Sequence, residues 1–233
     1  METLAPIFEA LGGEFVTPIT DIKKTLSSIK AFVFDWDGVF NDGIKSPDRS
    51  APFSEASSMG INLLRFDYWC RNNDLPFTAI ITGENNKAAE EFARRENFDA
   101  VYYHVKDKTT AIEHLGETYR IIPSQIACFF DDVTDLSMAK VCGLRMMMRR
   151  RASPLFTQYV KQHKLCDYLT GNEGQEHGLR EACELLMGIN GNFNERVEAR
   201  FNFAPHYQEY FRQRKQPVPK FYTFTNEIIE AKF

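Results

Sequence analysis

Two aspartates stand two residues apart in Phe34-Asp35-Trp36-Asp37-Gly38, where the apolar run Ala31-Phe32-Val33-Phe34 stops. A short apolar run ending in a Gly-containing turn predicts a buried strand that emerges at a sheet edge. Paired acids at such a place are costly to desolvate unless a cation or a reaction needs them. Asp-x-Asp at a strand terminus suits metal-assisted phosphoryl transfer, in which one carboxylate attacks phosphorus and the other handles the leaving-group proton. An acidic turn is the competing reading of the pair taken alone.

Three later features bear on that choice. Phe77-Thr78-Ala79-Ile80-Ile81 runs into Thr82-Gly83, and a helix is predicted from Asn85 to Asn97. Amides and the Thr82 hydroxyl there face an incoming anion, although a hydroxyl residue before Gly is also a common turn. Lys108 opens the helical stretch Asp107 to Tyr119, at an end where the helix dipole prefers an anion. A bound phosphate resolves that conflict, and a solvated side chain is the ordinary alternative. Finally, Ile126-Ala127-Cys128-Phe129-Phe130 leads into Asp131-Asp132-Val133-Thr134-Asp135. Asp131 and Asp135 lie one helical turn apart, and N-capping accounts for one of these acids but hardly for all three.

The elements that must position these residues follow from alternating apolar runs and amphipathic stretches. Strands are predicted near 31–35, 77–82, 99–104, 126–130, 143–148 and 166–169. Helices are predicted over 59–72, 85–96, 108–119, 133–141, 154–162 and 177–188. Such alternation gives an α/β fold, a Rossmann-like parallel sheet with helices on both faces. In a parallel sheet the acid pair, Thr82, Lys108 and the acid cluster converge, because ligands sit beyond the carboxyl ends of the strands.

In that order the residues resemble the haloacid dehalogenase superfamily of aspartyl-phosphate phosphohydrolases. More narrowly, they are similar to its capless group, typified by 3-deoxy-D-manno-octulosonate 8-phosphate phosphatase and the sialic-acid and nonulosonate phosphatases. Phe34-Asp35-Trp36-Asp37-Gly38-Val39-Phe40-Asn41-Asp42-Gly43 resembles the first motif of that group, Ala79-Ile80-Ile81-Thr82-Gly83 the second, and Asp131-Asp132-Val133-Thr134-Asp135 the fourth. Lys108 falls where the third-motif lysine is expected. The resemblance covers about residues 28 to 188. Departures are Phe130 in place of Gly before the fourth-motif acids, Glu84 in place of Arg after Thr-Gly, Ser57-Ser58-Met59-Gly60 without the usual acid, and an altered Gly174-Gln175-Glu176-His177-Gly178 segment.

The resemblance implies a Mg²⁺-dependent phosphatase acting on a phosphorylated sugar acid, with Asp35 as nucleophile and Asp37 as acid and base. Mg²⁺ is expected on the Asp35 carboxylate, the Asp37 backbone carbonyl and Asp131, with Asp132 or Asp135 behind. Thr82, Gly83 and Lys108 are expected to hold the phosphoryl group. A catalytically silent binding or scaffold protein of the same fold is the alternative, as is a phosphatase of another small metabolite. A phosphomutase needs a lid to exclude water, and no insertion here is long enough. Residues 42–58 suit a β-hairpin flap rather than a cap, and flaps of four subunits pair in the group the chain resembles, so a homotetramer is expected.

Residues 1–27, with a helix predicted from Asp21 to Ser28 capped by Thr20, and residues 189–233, rich in aromatics, form extensions outside the 28–188 domain. The tail's aromatics are expected to anchor on the core or on a neighbouring subunit. Arg149-Arg150-Arg151 leaves a strand on the site's edge; Arg149 is a candidate for a substrate carboxylate or phosphate, since Arg suits both. At 233 residues the chain can bury a sizeable core. A net charge of −4 offers no general pull toward nucleic acid, and no segment approaches a membrane span. Five isolated cysteines without a Cys-x-x-Cys pair read as reduced core thiols in a cytoplasmic protein.

Overall fold

The computed structural model describes residues 3–45, 51–225 and 228–232. The chain opens with α1 (Ala5–Ala10), β1 (Glu14–Phe15) and α2 (Ile19–Leu26). The alternating body follows as β2 (Ala31–Phe34), α3 (Glu55–Asn72), β3 (Phe77–Ile81), α4 (Lys87–Glu96), β4 (Ala100–Tyr103), α5 (Lys108–Tyr119), β5 (Ile126–Phe130) and α6 (Leu136–Val141). It continues through β6 (Leu144–Arg149), α7 (Pro154–Gln162), β7 (Tyr168–Glu173) and α8 (Gly178–Asn190). The tail forms α9 (Phe193–Phe201), α10 (Pro205–Arg214), β8 (Lys220–Thr225) and β9 (Ile228–Lys232). No helix among the described residues is long and apolar enough to cross a membrane.

The strands form one sheet in the order β1-β7-β6-β5-β2-β3-β4-β8-β9. All neighbours pair in parallel except β1 on β7 and β9 on β8, which are antiparallel. Strand period two divides the core. Phe32 and Phe34 of β2 face α2, α3, α4 and α8, while Ala31 and Val33 face α5, α6 and α7. A strand buried on both faces has no polar side, which is why β2 reads as an unbroken apolar run. From β2 the chain winds outward to β3 and β4, then crosses back to β5, β6 and β7. The reversal opens a crevice at the carboxyl ends of β2 and β5.

Both terminal segments join this sheet. β1 covers the β7 edge, and β8 pairs with the outer side of β4. Tyr222 of β8 stacks on Tyr102 with ring centroids 4.9 Å apart, and its hydroxyl lies 2.8 Å from that of Tyr119. The tail helices pack on α3: the Tyr210 hydroxyl donates to the Asn62 carbonyl at 3.0 Å, and Trp69 Nε1 donates to Gln213 at 2.8 Å. Tyr207 and Tyr210 of the tail thus anchor on Phe66 and Trp69 of α3, whereas Phe201 and Phe203 stay exposed.

Two local expectations are corrected. α2 starts at Ile19 with Pro18 rather than Thr20 at the N-cap: the Pro18 carbonyl accepts the opening bond from Ile22 N at 3.0 Å, so Thr20 already lies inside the first turn. The hairpin flap over 42–58 is absent among its described residues: 42–45 and 51–54 form no strand, and 55–58 belong to α3. Positions 46–50 lie outside the described residues. The donors there go to side chains instead of a ladder. Asn41 accepts from Gly43 N at 2.8 Å and Asp42 from Ile44 N at 2.9 Å, while Ser54 caps α3 by accepting from Ser57 N.

A buried ion pair holds the tail to the body. Arg214 of α10 donates to Glu96 at 2.9 Å, both side chains being less than a tenth exposed. Glu96 keeps Ser58 and Arg95 as further partners, so Arg214→Ala should lower stability by about 3 kcal/mol, the low end for breaking a buried pair. Urea unfolding checks this, and a change below about 1 kcal/mol would contradict the assigned role.

Candidate active site

Asp35 continues the β2 ladder by one hydrogen bond, its N–H donating to the Phe129 carbonyl at 2.9 Å, and so sits at the strand's mouth beside β5. The chain then turns at Gly38, whose φ of +89° suits glycine. A Cβ at this position would also overlap the Asp131 carboxylate and the Arg150 guanidinium. Asn41 ties the turn by accepting from Gly38 N at 3.3 Å. Asp37 is thereby brought back over the crevice. Its Oδ2 accepts from Asn86 Nδ2 at 3.0 Å, and its Oδ1 is buried without a hydrogen-bond partner.

From β3, Thr82 enters beside Asp37. Its hydroxyl oxygen accepts from Asn86 Nδ2 at 2.8 Å and from Glu84 N at 3.3 Å, so its own O–H remains to donate. Asn86 occupies the N-cap position of α4 yet caps nothing there, because its amide bridges Thr82 and Asp37. Lys108 is not the solvated side chain of the ordinary alternative, since carboxylates of the chain itself meet its charge at the helix start. Asp107 caps α5, and the buried ammonium of Lys108 lies against Asp35 and, at 2.5 Å, Asp135.

β5 delivers Asp131, and the turn after it is locked by Asp135, which accepts from the backbone N–H of Asp131 at 3.3 Å and Asp132 at 3.2 Å. Carboxylate oxygens of Asp35, Asp131 and Asp135, all buried, lie within 4.8 Å of one another. Burial and the Asp135 charge push Asp35 well above the usual carboxylate range, against the pull of Lys108. Burial and Asp135 also raise Asp131, to about 7, although Arg150 opposes the shift. Burial works against the Lys108 ammonium, yet Asp135 and Asp35 hold it above the ordinary lysine range. Three carboxylates thus face one ammonium and one guanidinium. Each repulsive pair at this spacing is worth about 4 kcal/mol at an effective dielectric near 20. A hard divalent cation with oxygen preference fits such a donor set.

The cleft over these groups has a volume of about 520 Å³, and Asp35, Asp37, Gly83, Lys108, Asp131 and Arg150 are among its lining residues. Thus Asp35, Asp37, Thr82, Gly83, Lys108 and Asp131 come together as the sequence predicts. Arg149 does not. Its guanidinium donates to Glu14 at 2.7 Å, to the Gly12 carbonyl at 2.9 Å and to the Thr170 carbonyl at 2.9 Å, tying β6 to the N-terminal segment. Successive residues of an extended chain point to opposite sides, so it is Arg150 that reaches the cleft and donates through Nε and Nη2 to Asp131. Side-chain oxygens of Asp135, rather than of Asp37, complete the acid cluster. Asn86 and Arg150 escaped the sequence reading. An Asn before a helix looks like a cap, and nothing in a run of three arginines says which one turns inward.

No family model matches the chain. It is 26% identical over 179 residues to the 3-deoxy-D-manno-octulosonate 8-phosphate phosphatase KdsC of Escherichia coli, covering 75% of this chain and 88% of that protein. The crystal structure of a probable YrbI family phosphatase from Pseudomonas syringae superposes with a TM-score of 0.64 at 26% identity, over 78% of this chain and 98% of that one. A 3-deoxy-D-manno-octulosonate 8-phosphate phosphatase from Moraxella catarrhalis, solved with magnesium, phosphate and KDO, shares the fold with a TM-score of 0.63 at 24% identity, over 77% and 98% of the two chains. Over about three quarters of its length the chain is thus similar, in sequence as in fold, to the octulosonate 8-phosphate phosphatases and to a YrbI family phosphatase.

Proposed function

We propose that the chain is a Mg²⁺-dependent phosphomonoester hydrolase that works through an aspartyl phosphate on Asp35, with a phosphorylated sugar acid of octulosonate or nonulosonate type as substrate. The observation that carries this reading is the buried contact of Lys108 with both Asp35 and Asp135, whose carboxylate oxygens lie within 4.8 Å of one from Asp131. The sugar-acid assignment draws on the likeness to the octulosonate 8-phosphate phosphatases. Asp35, Asp131 and Asp135 would hold the cation, with the Asp37 backbone carbonyl as a further ligand. Bound there, Mg²⁺ neutralises charge on the phosphoryl oxygens and lets an anionic ester approach the carboxylates.

The chain's own residues do the rest. An oxygen of Asp35 attacks phosphorus, the ester oxygen leaves, and Asp37 gives it a proton. Asp37 then takes a proton from the water that attacks the phosphorylated Asp35, which regenerates the carboxylate and releases phosphate. Asn86 holds Asp37 by one oxygen and leaves the other free for this proton traffic. Lys108 and the Thr82 O–H stabilise charge on the equatorial oxygens. We also propose a homotetramer. Ile44 and Val133 are exposed apolar side chains next to cleft residues, in keeping with cover from a neighbouring chain.

Asp35→Asn should keep the fold and lower kcat by about 10³-fold or more, because it removes the nucleophile and preserves shape. Near wild-type turnover on a phosphorylated sugar acid in this variant would sink the mechanism. Chelation should abolish turnover and added Mg²⁺ should restore it; activity that persists at full chelation contradicts the metal requirement. Asn86→Ala should lower kcat by roughly 10- to 100-fold with melting temperature little changed, since Asp37 loses its orientation. An unaltered kcat would remove Asn86 from the account. Light scattering tests assembly: an active species with the mass of one chain rules out the tetramer.

A further inference from the structure

Four basic residues line the cleft, Lys45, Lys106, Lys108 and Arg150, in different surroundings: Lys45 and Lys106 stand on the β3–β4 side and Arg150 on the β6 side. The Lys108 ammonium is buried and fully engaged with Asp35 and Asp135. On the β3 side of the mouth, Lys45 lies 3.6 Å from Asp37 and 3.5 Å from Glu84, so its charge is offset there and Glu84 adds an exposed carboxylate to that rim. The β6 side differs. Arg150 is the first residue beyond β6, a third exposed, and lines both the main cleft and a small recess of about 30 Å³ that Asn41, Gly174 and Gln175 share with the acids Asp42 and Glu173.

Its neighbours in sequence are committed elsewhere: Arg149 to Glu14 and Arg151 to Glu176. Arg150 alone of the three donates to an acid that a cation would also claim, Asp131. A guanidinium and a divalent cation repel each other, and the two compete for one carboxylate. Were Asp131 taken up by the cation, Arg150 would keep Asp132, 4.0 Å away, as its remaining acid neighbour within ion-pair reach among the described residues, and its planar fork would suit a substrate carboxylate by paired hydrogen bonds.

We propose that Arg150 is the specificity-determining residue for a second anionic group on the substrate, a carboxylate. This rests on the phosphatase reading above and adds an orientation to it. The phosphoryl group goes to Asp35 and Lys108, the acid group lies toward Arg150 on the β6 side of the main cleft, and the Glu84 rim is left to the neutral part of the sugar.

The test compares Arg150→Gln, Arg150→Lys and, as a neighbouring charge outside the cleft, Arg151→Gln. Two esters are used with Mg²⁺: 3-deoxy-D-manno-octulosonate 8-phosphate and p-nitrophenyl phosphate, which has no carboxylate. In Arg150→Gln the ratio of kcat/KM, acid over p-nitrophenyl ester, should fall about tenfold or more, chiefly through KM. Arg150→Lys should recover part of it, and Arg151→Gln should leave the ratio as it is. Calorimetric binding of the free sugar acid to the Mg²⁺-supplied protein should weaken about tenfold in Arg150→Gln. Equal losses on both esters mean that Arg150 only positions Asp131, and overturn the proposal. So does unaltered binding of the sugar acid, or a wild type that does not bind it. A wild type that hydrolyses neither ester would sink the phosphatase reading, while the binding comparison still decides the role of Arg150.

Discussion

Everything about this fold's working end depends on three buried carboxylates being held around one lysine. Asp35, Asp131 and Asp135 repel one another and are each stripped of water, which a stable fold does not tolerate without compensation. Lys108 supplies part of it from the start of α5, and Arg150 a further part from the end of β6. The remaining negative charge suits the site to a divalent cation. Placing those groups is the task of the sheet. β2 and β5 are neighbours although far apart in sequence, so acids at their carboxyl ends meet at the point where the winding reverses.

The compensation is also arranged in layers. Asp135 faces Lys108 with one oxygen and receives two backbone N–H bonds with the other, so it fixes both the charge and the loop that carries Asp131. Asn86 performs a comparable service on the opposite wall, linking Thr82 to Asp37 through one amide group. Under the proposed mechanism such a hydrogen-bonded frame would keep the reacting groups in register without a domain closing over them. The tail belongs to the frame rather than the site. It adds β8 to the sheet and packs α9 and α10 on α3, and none of its described residues lines the cleft.

Much of this was legible before the structure. The strand ends announced themselves because a buried parallel strand is apolar throughout, so the first polar residue after Phe34, Ile81 or Phe130 marks the sheet's edge. Helix α5 and strands β2 and β5 fall within a residue or so of their predicted bounds. What sequence could not resolve is direction. Arg149 and Arg150 are chemically identical neighbours, and only pairing with β7 and the contact with Glu14 decide which one turns away. The segment after Asn41 has turn residues that fit a hairpin equally well, but its side chains take the backbone donors that a ladder would need. The strand at Lys220–Thr225 was hidden for another reason: Phe221, Tyr222 and Phe224 were read as anchors, and pairing with β4 is a long-range event with no local signal.

The central claim is that phosphorus is transferred to one named carboxylate, and chemical trapping addresses it most directly. An acyl phosphate is reduced by borohydride, which converts a phosphorylated aspartate to homoserine. Protein quenched during turnover of a phosphorylated sugar acid, reduced and digested, can then be read by mass spectrometry. The account predicts homoserine at position 35. Homoserine at another aspartate of the cluster, or phosphate release at full rate with no residue modified, would contradict it.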